Sequence, residues 1–191
     1  MKLSLLSLYL IVISSLSALA LPGKSSQNVD LSLQDSSVVF SIDTLTAENG
    51  ELICMQLSTE NFEDVILMEM SILYDAEVLR YINAAVLTDL LPGFNESTFS
   101  TPETNGSGNK FIISWLDNDL NGQNILQKTD IFEMCFEVIG EPGDKSVLNI
   151  DQIEVADTAN ELVNAEDRDG LVCVKMGVYS QEIEQMESLY F

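Results

Sequence analysis

The chain has 191 residues, of which 31 are acidic and 8 are basic, giving a formal net charge of −23. Such a surface repels nucleic acid and anionic membranes, so neither is expected as a partner. The sequence contains no histidine, which excludes a Ser-His-Asp triad and argues against a zinc enzyme. Among 31 acidic residues some carboxylates must lie close together, so such proximity does not indicate a glycosidase. We therefore expect a non-catalytic protein without a cofactor.

The first predicted element is an export signal. Residues 1–20, MKLSLLSLYLIVISSLSALA, combine one lysine, an apolar run and a final A-x-A pattern, which is typical of a secretory signal peptide cleaved near Ala20. An uncleaved membrane anchor is the alternative, and no second segment is apolar enough to span a bilayer. We therefore expect a secreted, extracellular protein. Residues 21–36 are polar and aperiodic and predict a linker, and residues 177–191 predict a short C-terminal tail.

Between these ends, the sequence has the pattern of a β protein. Short apolar runs alternate with clusters of Gly, Asn, Asp and Pro. The predicted strands lie at 37–42, 51–57, 64–74, 78–87, near 94–99, 110–116, 130–138, 146–155 and 169–176. Nine short strands with no long helical pattern predict a single all-β sandwich or barrel domain over residues 37–176.

Side-chain alternation in the third and sixth predicted strands indicates a second apolar surface. Successive side chains of a strand point to opposite faces of the sheet. One face of each strand is core-like and carries Ile66, Met68, Met70, Ile72, Tyr74, Phe111, Ile113 and Trp115. The opposite faces still carry Leu67, Leu73, Ile112 and Leu116. Because an exposed apolar sheet face usually meets a partner, this surface predicts binding; coverage by loops or neighbouring strands is the alternative.

An acidic turn follows the sixth predicted strand. Read from Asp117, the sequence spells D-x-D-x-N-G, the opening half of a calcium loop. A helix-loop-helix calcium site needs a bidentate Glu at its twelfth position, which here is Lys128, and the flanking segments are predicted strands. The stretch is therefore interpreted as a strand connection that turns at Asn121-Gly122. Weak calcium binding by Asp117, Asp119 and Asn121 is the alternative.

Three segments, taken in their order and spacing, resemble cohesin domains. Residues 70–84, MSILYDAEVLRYINA, resemble the cohesin segment F-x-L-x-Y-D-P-x-V-L-x-F/Y, with Ala76 in place of the usual Pro. Residues 110–122, KFIISWLDNDLNG, resemble the strand that precedes an acidic, glycine-containing loop. Residues 130–163 resemble the late cohesin pattern, in which a strand of alternating phenylalanines precedes a Gly turn and an F/V-A-D-x-x-G-x-x-L segment.

The resemblance implies a nine-stranded jelly-roll sandwich related to carbohydrate-binding modules. It also implies docking of dockerin modules on the sheet formed by the eighth, third, sixth and fifth strands. By position, that face contains Leu67, Glu69, Ser114, Leu116 and Asp117, and side-chain alternation adds Leu73 and Ile112. The function implied is a non-catalytic module that docks a dockerin-like protein in an extracellular assembly handling polysaccharide.

Two further functions stay open beside this interpretation. A carbohydrate-binding module would bind polysaccharide directly, generally through a row of exposed aromatic side chains. Tyr81, Phe94 and Phe99 are the candidates for such a row, but their spacing is irregular. The other function is that of a structural adhesion module of the cell envelope.

The chain has three cysteines, Cys54, Cys135 and Cys173. Export permits a disulfide. Side-chain alternation places Cys54 and Cys135 on polar outer faces, and the cohesin-like topology implies that their strands are neighbours. The resemblance thus implies a Cys54–Cys135 bridge, with Cys173 on the last strand, beside the first and too far away to join either. Three free buried thiols in a reducing environment are the alternative.

Overall fold

The computed structural model describes residues 37–176, which form two β-sheets. The predicted signal peptide, linker and tail lie outside the described residues. The elements are β1 Val38–Ile42, β2 Thr44–Ala47, β3 Leu52–Glu60, β4 Phe62–Leu73, β5 Leu79–Val86, a 3-10 turn at Glu96–Thr98, β6 Phe99–Ser100, β7 Lys110–Leu116, β8 Gln123–Ile125, β9 Thr129–Val138, β10 Lys145–Asp157, β11 Ala165–Arg168 and β12 Gly170–Val174. Within this range, no helix has the length and apolarity needed to cross a bilayer.

The two sheets confirm the predicted all-β sandwich. The five-stranded sheet has the order β11-β1-β3-β9-β5. The seven-stranded sheet has the order β2-β12-β10-β4-β7-β6, and β8 pairs with β4. Its run β10-β4-β7-β6 consists of the eighth, third, sixth and fifth predicted strands, which is the order that the cohesin resemblance implies.

The predicted number of strands is wrong, because residues 37–176 form twelve rather than nine. The three additional strands, β2, β8 and β11, are only three or four residues long. Strands of this length carry too few apolar positions to show an alternating pattern. Each of them pairs with a longer strand, so tertiary pairing rather than local sequence defines it.

The chain passes from one sheet to the other at Asp43. β1 pairs with β3 in the five-stranded sheet, whereas β2 pairs with β12 in the seven-stranded sheet. The prediction that the last strand lies beside the first is therefore corrected, since β12 lies between β2 and β10. Cys173 consequently faces Thr46 and Lys145 in register, away from the other two cysteines.

Gly170, the first residue of β12, lies where the two sheets approach closely. A Cβ at this position would come within 2.4 Å of Ile42 Cγ2 and 3.1 Å of the Asp43 carbonyl oxygen. Gly170→Ala should therefore lower the free energy of unfolding by about 1–3 kcal/mol, because the buried Ile42 side chain cannot move away without strain. Urea denaturation of the variant tests this. An unchanged midpoint would show that the two sheets leave room for a methyl group at Gly170.

A bulge in β4 places an additional side chain in the core. Val65 pairs with Asp157 and Leu67 pairs with Ala156, so Ile66 has no partner on β10. Alternation along an ideal strand would place Val65 on the outer face with Leu67, but Val65 is fully buried in the hydrophobic core. A bulge inserts one residue and shifts the alternation of the strand, which local parity cannot detect. From Met68 to Ile72, the predicted inward alternation holds.

Candidate functional site

Six of the predicted partner-binding residues come together on the outer face of the seven-stranded sheet. β4 and β7 pair in an uninterrupted antiparallel register that places Leu67 opposite Leu116 and Glu69 opposite Ser114. The same register places Ser71 opposite Ile112 and Leu73 opposite Lys110. We call this surface the β4–β7 face and define it as Leu67, Glu69, Leu73, Ile112, Ser114 and Leu116.

The apolar part of the β4–β7 face is open to solvent. Leu116 is 50% exposed and Ile112 is 41% exposed, whereas Leu67 and Leu73 are half-buried. Two shallow depressions of about 310 and 280 Å³ share Ile112 and Ser114 in their linings, so Ile112 stands between them. Among residues 37–176, the alternative of complete coverage by loops or strands therefore does not hold for this face.

The neighbouring strand β10 extends the face with residues that the sequence analysis did not single out. Val147 is 49% exposed, and Asn149, Asp151, Gln152 and Glu154 are also exposed. A bulge between Asp151 and Glu154, with Gln152 at φ 56°, interrupts the alternation of the strand. Only the acidic composition of this segment indicated a polar surface there.

Two carboxylates face each other at the centre of this surface. Glu69 on β4 lies opposite Glu154 on β10 in register. Ser114 donates a hydrogen bond from its Oγ to Glu69 Oε1 at 2.8 Å, whereas the Glu154 side chain makes no hydrogen bond or ion pair with another described residue. Like charges placed directly opposite each other on neighbouring strands are unfavourable. The pair is therefore suited to a cationic group brought by a partner.

The basic side chains of the described residues do not neutralise this pair. Four of them form ion pairs elsewhere: Arg80 with Glu137, Lys128 with Asp43, Arg168 with Glu60, and Lys175 with Glu48. Lys110, on β7, lines the same depression as Glu69 and Glu154 but donates to Gln152 Oε1 at 3.3 Å. Lys145 lies at the start of β10, opposite Cys173. The centre of the surface is therefore negative. Beside it, the exposed side chains of Ile112 and Leu116 form an aliphatic ridge.

Asp117 does not belong to the β4–β7 face, and its prediction as a partner-binding residue is corrected. It is only 1% exposed, because the loop after β7 folds over its carboxylate. Oδ1 accepts the backbone N–H of Asp119 at 3.3 Å, and Oδ2 accepts the N–H groups of Asn121 and Gly122 at 3.2 and 3.1 Å. Gln123 donates from Nε2 to the same oxygen at 3.0 Å. The carboxylate holds the turn together from within.

The turn is the predicted strand connection, and Gly122 has the left-handed φ of 77°. Asp119 and Asn121 are exposed, but the Asp117 oxygens are directed to N–H donors. Calcium binding by Asp117, Asp119 and Asn121 stays a prediction. Among the described residues, a group of three cysteine or acidic side chains with converging ligand atoms occurs elsewhere, at Cys54, Glu133 and Cys135.

The hydrogen bonds to Asp117 make the stability of the protein depend on pH. The bond from Gln123 is the largest cause that lowers the pKa of the Asp117 carboxyl from its ordinary value of 3.8, while burial opposes the shift and the backbone N–H groups of the turn add to it. A carboxyl with a depressed pKa contributes stability above its unfolded-state pKa. That contribution is lost as the pH falls through the folded-state pKa.

Asp117→Asn should lower the free energy of unfolding by about 1–3 kcal/mol at neutral pH, because one amide oxygen cannot accept all four bonds. The difference between wild type and variant should stay constant above about pH 4 and shrink as the pH falls below 3.8. Urea denaturation as a function of pH measures this. The exposed neighbour Asp119→Asn is the matched control, and equal effects of both variants would contradict the structural role of Asp117.

The aromatic candidates for direct sugar binding do not form an exposed row. Phe94 is buried, and the Phe99 ring packs edge-on against Phe132 at 4.8 Å between centroids. The Tyr81 ring packs against Phe111 at 5.4 Å. None of the exposed large apolar side chains of residues 37–176 is aromatic. This composition favours a protein surface over a sugar ring as the ligand.

Comparison with known proteins places the fold among cohesins. No protein-family model matches the sequence, and no curated protein matches it. The solved structure of the sixth cohesin of scaffoldin B from Acetivibrio cellulolyticus, in complex with a Cel5 dockerin, is 18% identical, with a TM-score of 0.61 over 73% of this chain and 100% of that chain. The cohesin CaCohA2 from Clostridium acetobutylicum is 22% identical, with a TM-score of 0.59 over 75% and 94%.

A third similar structure comes from outside cellulosomes. The non-cellulosomal cohesin of the hyperthermophilic archaeon Archaeoglobus fulgidus is 19% identical, with a TM-score of 0.58 over 80% of this chain and 98% of that chain. At these identities, the likeness concerns the fold. The described residues have the cohesin fold. The candidate binding site is defined by their own side chains.

Proposed function

We propose that this protein is a secreted, non-catalytic module that binds a dockerin-like protein through the β4–β7 face. The observation that carries the proposal is the exposed aliphatic ridge of Ile112 and Leu116 beside the unneutralised pair of Glu69 and Glu154. One of the similar structures, the sixth cohesin of scaffoldin B, was solved in complex with a dockerin, which supports this class of partner.

The chemistry of the surface is that of a protein interface with an apolar centre. A partner that covers Leu116 and Ile112 removes aliphatic surface from water, and each fully buried aliphatic side chain contributes about 1.5–3 kcal/mol. A Lys or Arg of the partner placed between Glu69 and Glu154 would relieve their repulsion and fix the register of docking. Neither feature provides the stacking surface that a sugar ring needs.

We infer the extracellular setting from the predicted signal peptide. We infer membership of an assembly that handles polysaccharide from the cohesin resemblance. A disulfide between Cys54 and Cys135 agrees with export, since disulfides form mainly in oxidising compartments. The large negative charge agrees with a partner that presents basic groups.

Capture from the secretome of the source organism tests the proposal. The mature chain, from residue 21 onward, is immobilised and exposed to the secretome with calcium or with a chelator, and bound proteins are identified by mass spectrometry. We expect capture of proteins that carry dockerin modules, in calcium only, because the cohesin resemblance implies docking of calcium-loaded dockerin modules. Leu67→Asp and Leu116→Asp should abolish the capture.

A panel of polysaccharide gels run beside the capture separates the remaining functions. Retardation of the mature chain on a glycan, with no dockerin protein captured, would overturn the docking proposal in favour of a carbohydrate-binding module. Retention on envelope preparations alone would favour an adhesion module instead.

A further inference from the structure

The outer face of the five-stranded sheet carries a cluster of two sulfurs and one carboxylate. Cys54 on β3 and Cys135 on β9 lie directly opposite each other in register and form a disulfide, with their Cα atoms 4.0 Å apart. Glu133 lies two residues before Cys135 on the same side of β9. The two sulfurs and a Glu133 carboxylate oxygen all lie within 4.8 Å of one another.

The Glu133 carboxylate has no cationic neighbour that explains its position. In register, Glu133 lies between Gln56 and Ala85. Arg80, on the neighbouring strand β5, pairs with Glu137. Glu133 Oε1 instead lies 3.8 Å from Cys135 Sγ, and a disulfide sulfur carries no proton to donate. A half-buried anion is thus directed at the sulfurs.

The backbone would keep the sulfurs together after the disulfide is cleaved. The pairing of β3 with β9 runs from Leu52 opposite Glu137 to Thr59 opposite Thr129. The cysteines lie inside this ladder, so its hydrogen bonds fix their spacing independently of the S–S bond. Cys54 is exposed, which gives a reductant and a metal ion access to the pair.

We propose that reduction converts this disulfide into a binding site for one thiophilic divalent cation of the zinc and cadmium type. The thiolates of Cys54 and Cys135 and the carboxylate of Glu133 supply three ligands, and water completes the tetrahedral coordination that such ions prefer. Two thiols of a low-molecular-weight reductant transfer two electrons and two protons to the disulfide, which yields two cysteine thiols and the oxidised reductant. Binding of the cation then releases those two protons.

The oxidised and metal-bound states exclude each other, because the S–S bond uses both sulfurs. A bound cation therefore protects the pair from reoxidation, and oxidation expels the cation. The cluster lies on the five-stranded sheet, whereas the β4–β7 face belongs to the seven-stranded sheet. A failure of metal binding would therefore leave the proposed dockerin binding untouched, and a failure of dockerin binding would leave the metal site untouched.

Cadmium titration of the reduced mature chain tests the site. The protein is reduced with a phosphine, freed of it by gel filtration under anoxic conditions, and titrated with Cd²⁺ while the thiolate-to-cadmium charge-transfer absorbance is recorded. We expect saturation at one equivalent in the reduced protein and no such band in the oxidised protein. Glu133→Gln should weaken Cd²⁺ binding by at least about tenfold, the effect that loss of even an outer-shell partner commonly has.

Two variants serve as matched controls for the titration. Glu137→Gln removes the other carboxylate beside Cys135 on the same face, and Cys173→Ser removes the third thiol; both should leave the titration unchanged. The proposal is overturned if the folded, reduced protein shows no saturation at one equivalent. It is equally overturned if Glu137→Gln acts like Glu133→Gln, if Cys173→Ser abolishes binding, or if circular dichroism shows that reduction unfolds the sandwich.

Discussion

Leu116→Asp is expected to weaken binding of the proposed dockerin-like partner by more than about 100-fold, or about 2.7 kcal/mol. Leu116 is 50% exposed and lies opposite Leu67 at one end of the β4–β7 face. The free protein can solvate an aspartate at this position, but docking would bury that charge against an apolar surface without a designated partner. The cost therefore falls on the complex rather than on the fold.

Leu52→Asp is the matched control for this substitution. Leu52 is also an exposed leucine on a strand, with 70% of its surface accessible, but it lies on β3 in the five-stranded sheet. Titration calorimetry of both variants against a captured dockerin module should show the loss only for Leu116→Asp, with thermal midpoints near that of the wild type. An equal loss in both variants, or none in either, would show that the partner binds elsewhere.

The second large effect is expected from removal of the disulfide. Cys54→Ala combined with Cys135→Ala should lower the free energy of unfolding by about 4 kcal/mol, because the bridge closes a loop across a sequence separation of 81 residues. Cys54 is exposed and Cys135 is half-buried, so the substitutions remove little packing. Most of the effect should therefore arise from greater freedom of the unfolded chain.

Urea denaturation of the double variant and the wild type measures this difference. Cys173→Ser is the control, because Cys173 is a free thiol that is half-buried on β12. We expect a lower midpoint for the double variant and only a small change for the control. A double variant as stable as the wild type would mean that β3 and β9 already lie close together in the unfolded ensemble without the bridge.

The β4–β7 face could be predicted from the sequence because the strands that form it are regular where they meet. From Leu67 to Leu73, β4 pairs with β7 without a register shift, so alternation in each strand separately gives the side chains that share the outer surface. Ile112 and Leu116 stood out because an apolar residue on a solvent face breaks the usual alternation.

The predictions for this surface are wrong or incomplete where the backbone departs from a regular strand. The bulge in β10 brings Glu154 beside Glu69, and alternation along an ideal strand gives no sign of it. Asp117 was placed on the face through the cohesin resemblance, yet alternation from Trp115 leads inward at this position. Its burial depends on backbone N–H groups that converge only when the turn has closed.

The sequence by itself determined the β class, the apolar core faces and the aliphatic ridge, since these depend on the two-residue period of a strand and on hydrophobicity. The tertiary structure decided which strands pair, and hence the passage between sheets at Asp43, the three short strands and the opposition of Glu69 to Glu154. It also brought Cys54 on β3 to Cys135 and Glu133 on β9. Such contacts join residues far apart in the chain, and their register follows from packing and bulges that no local pattern encodes.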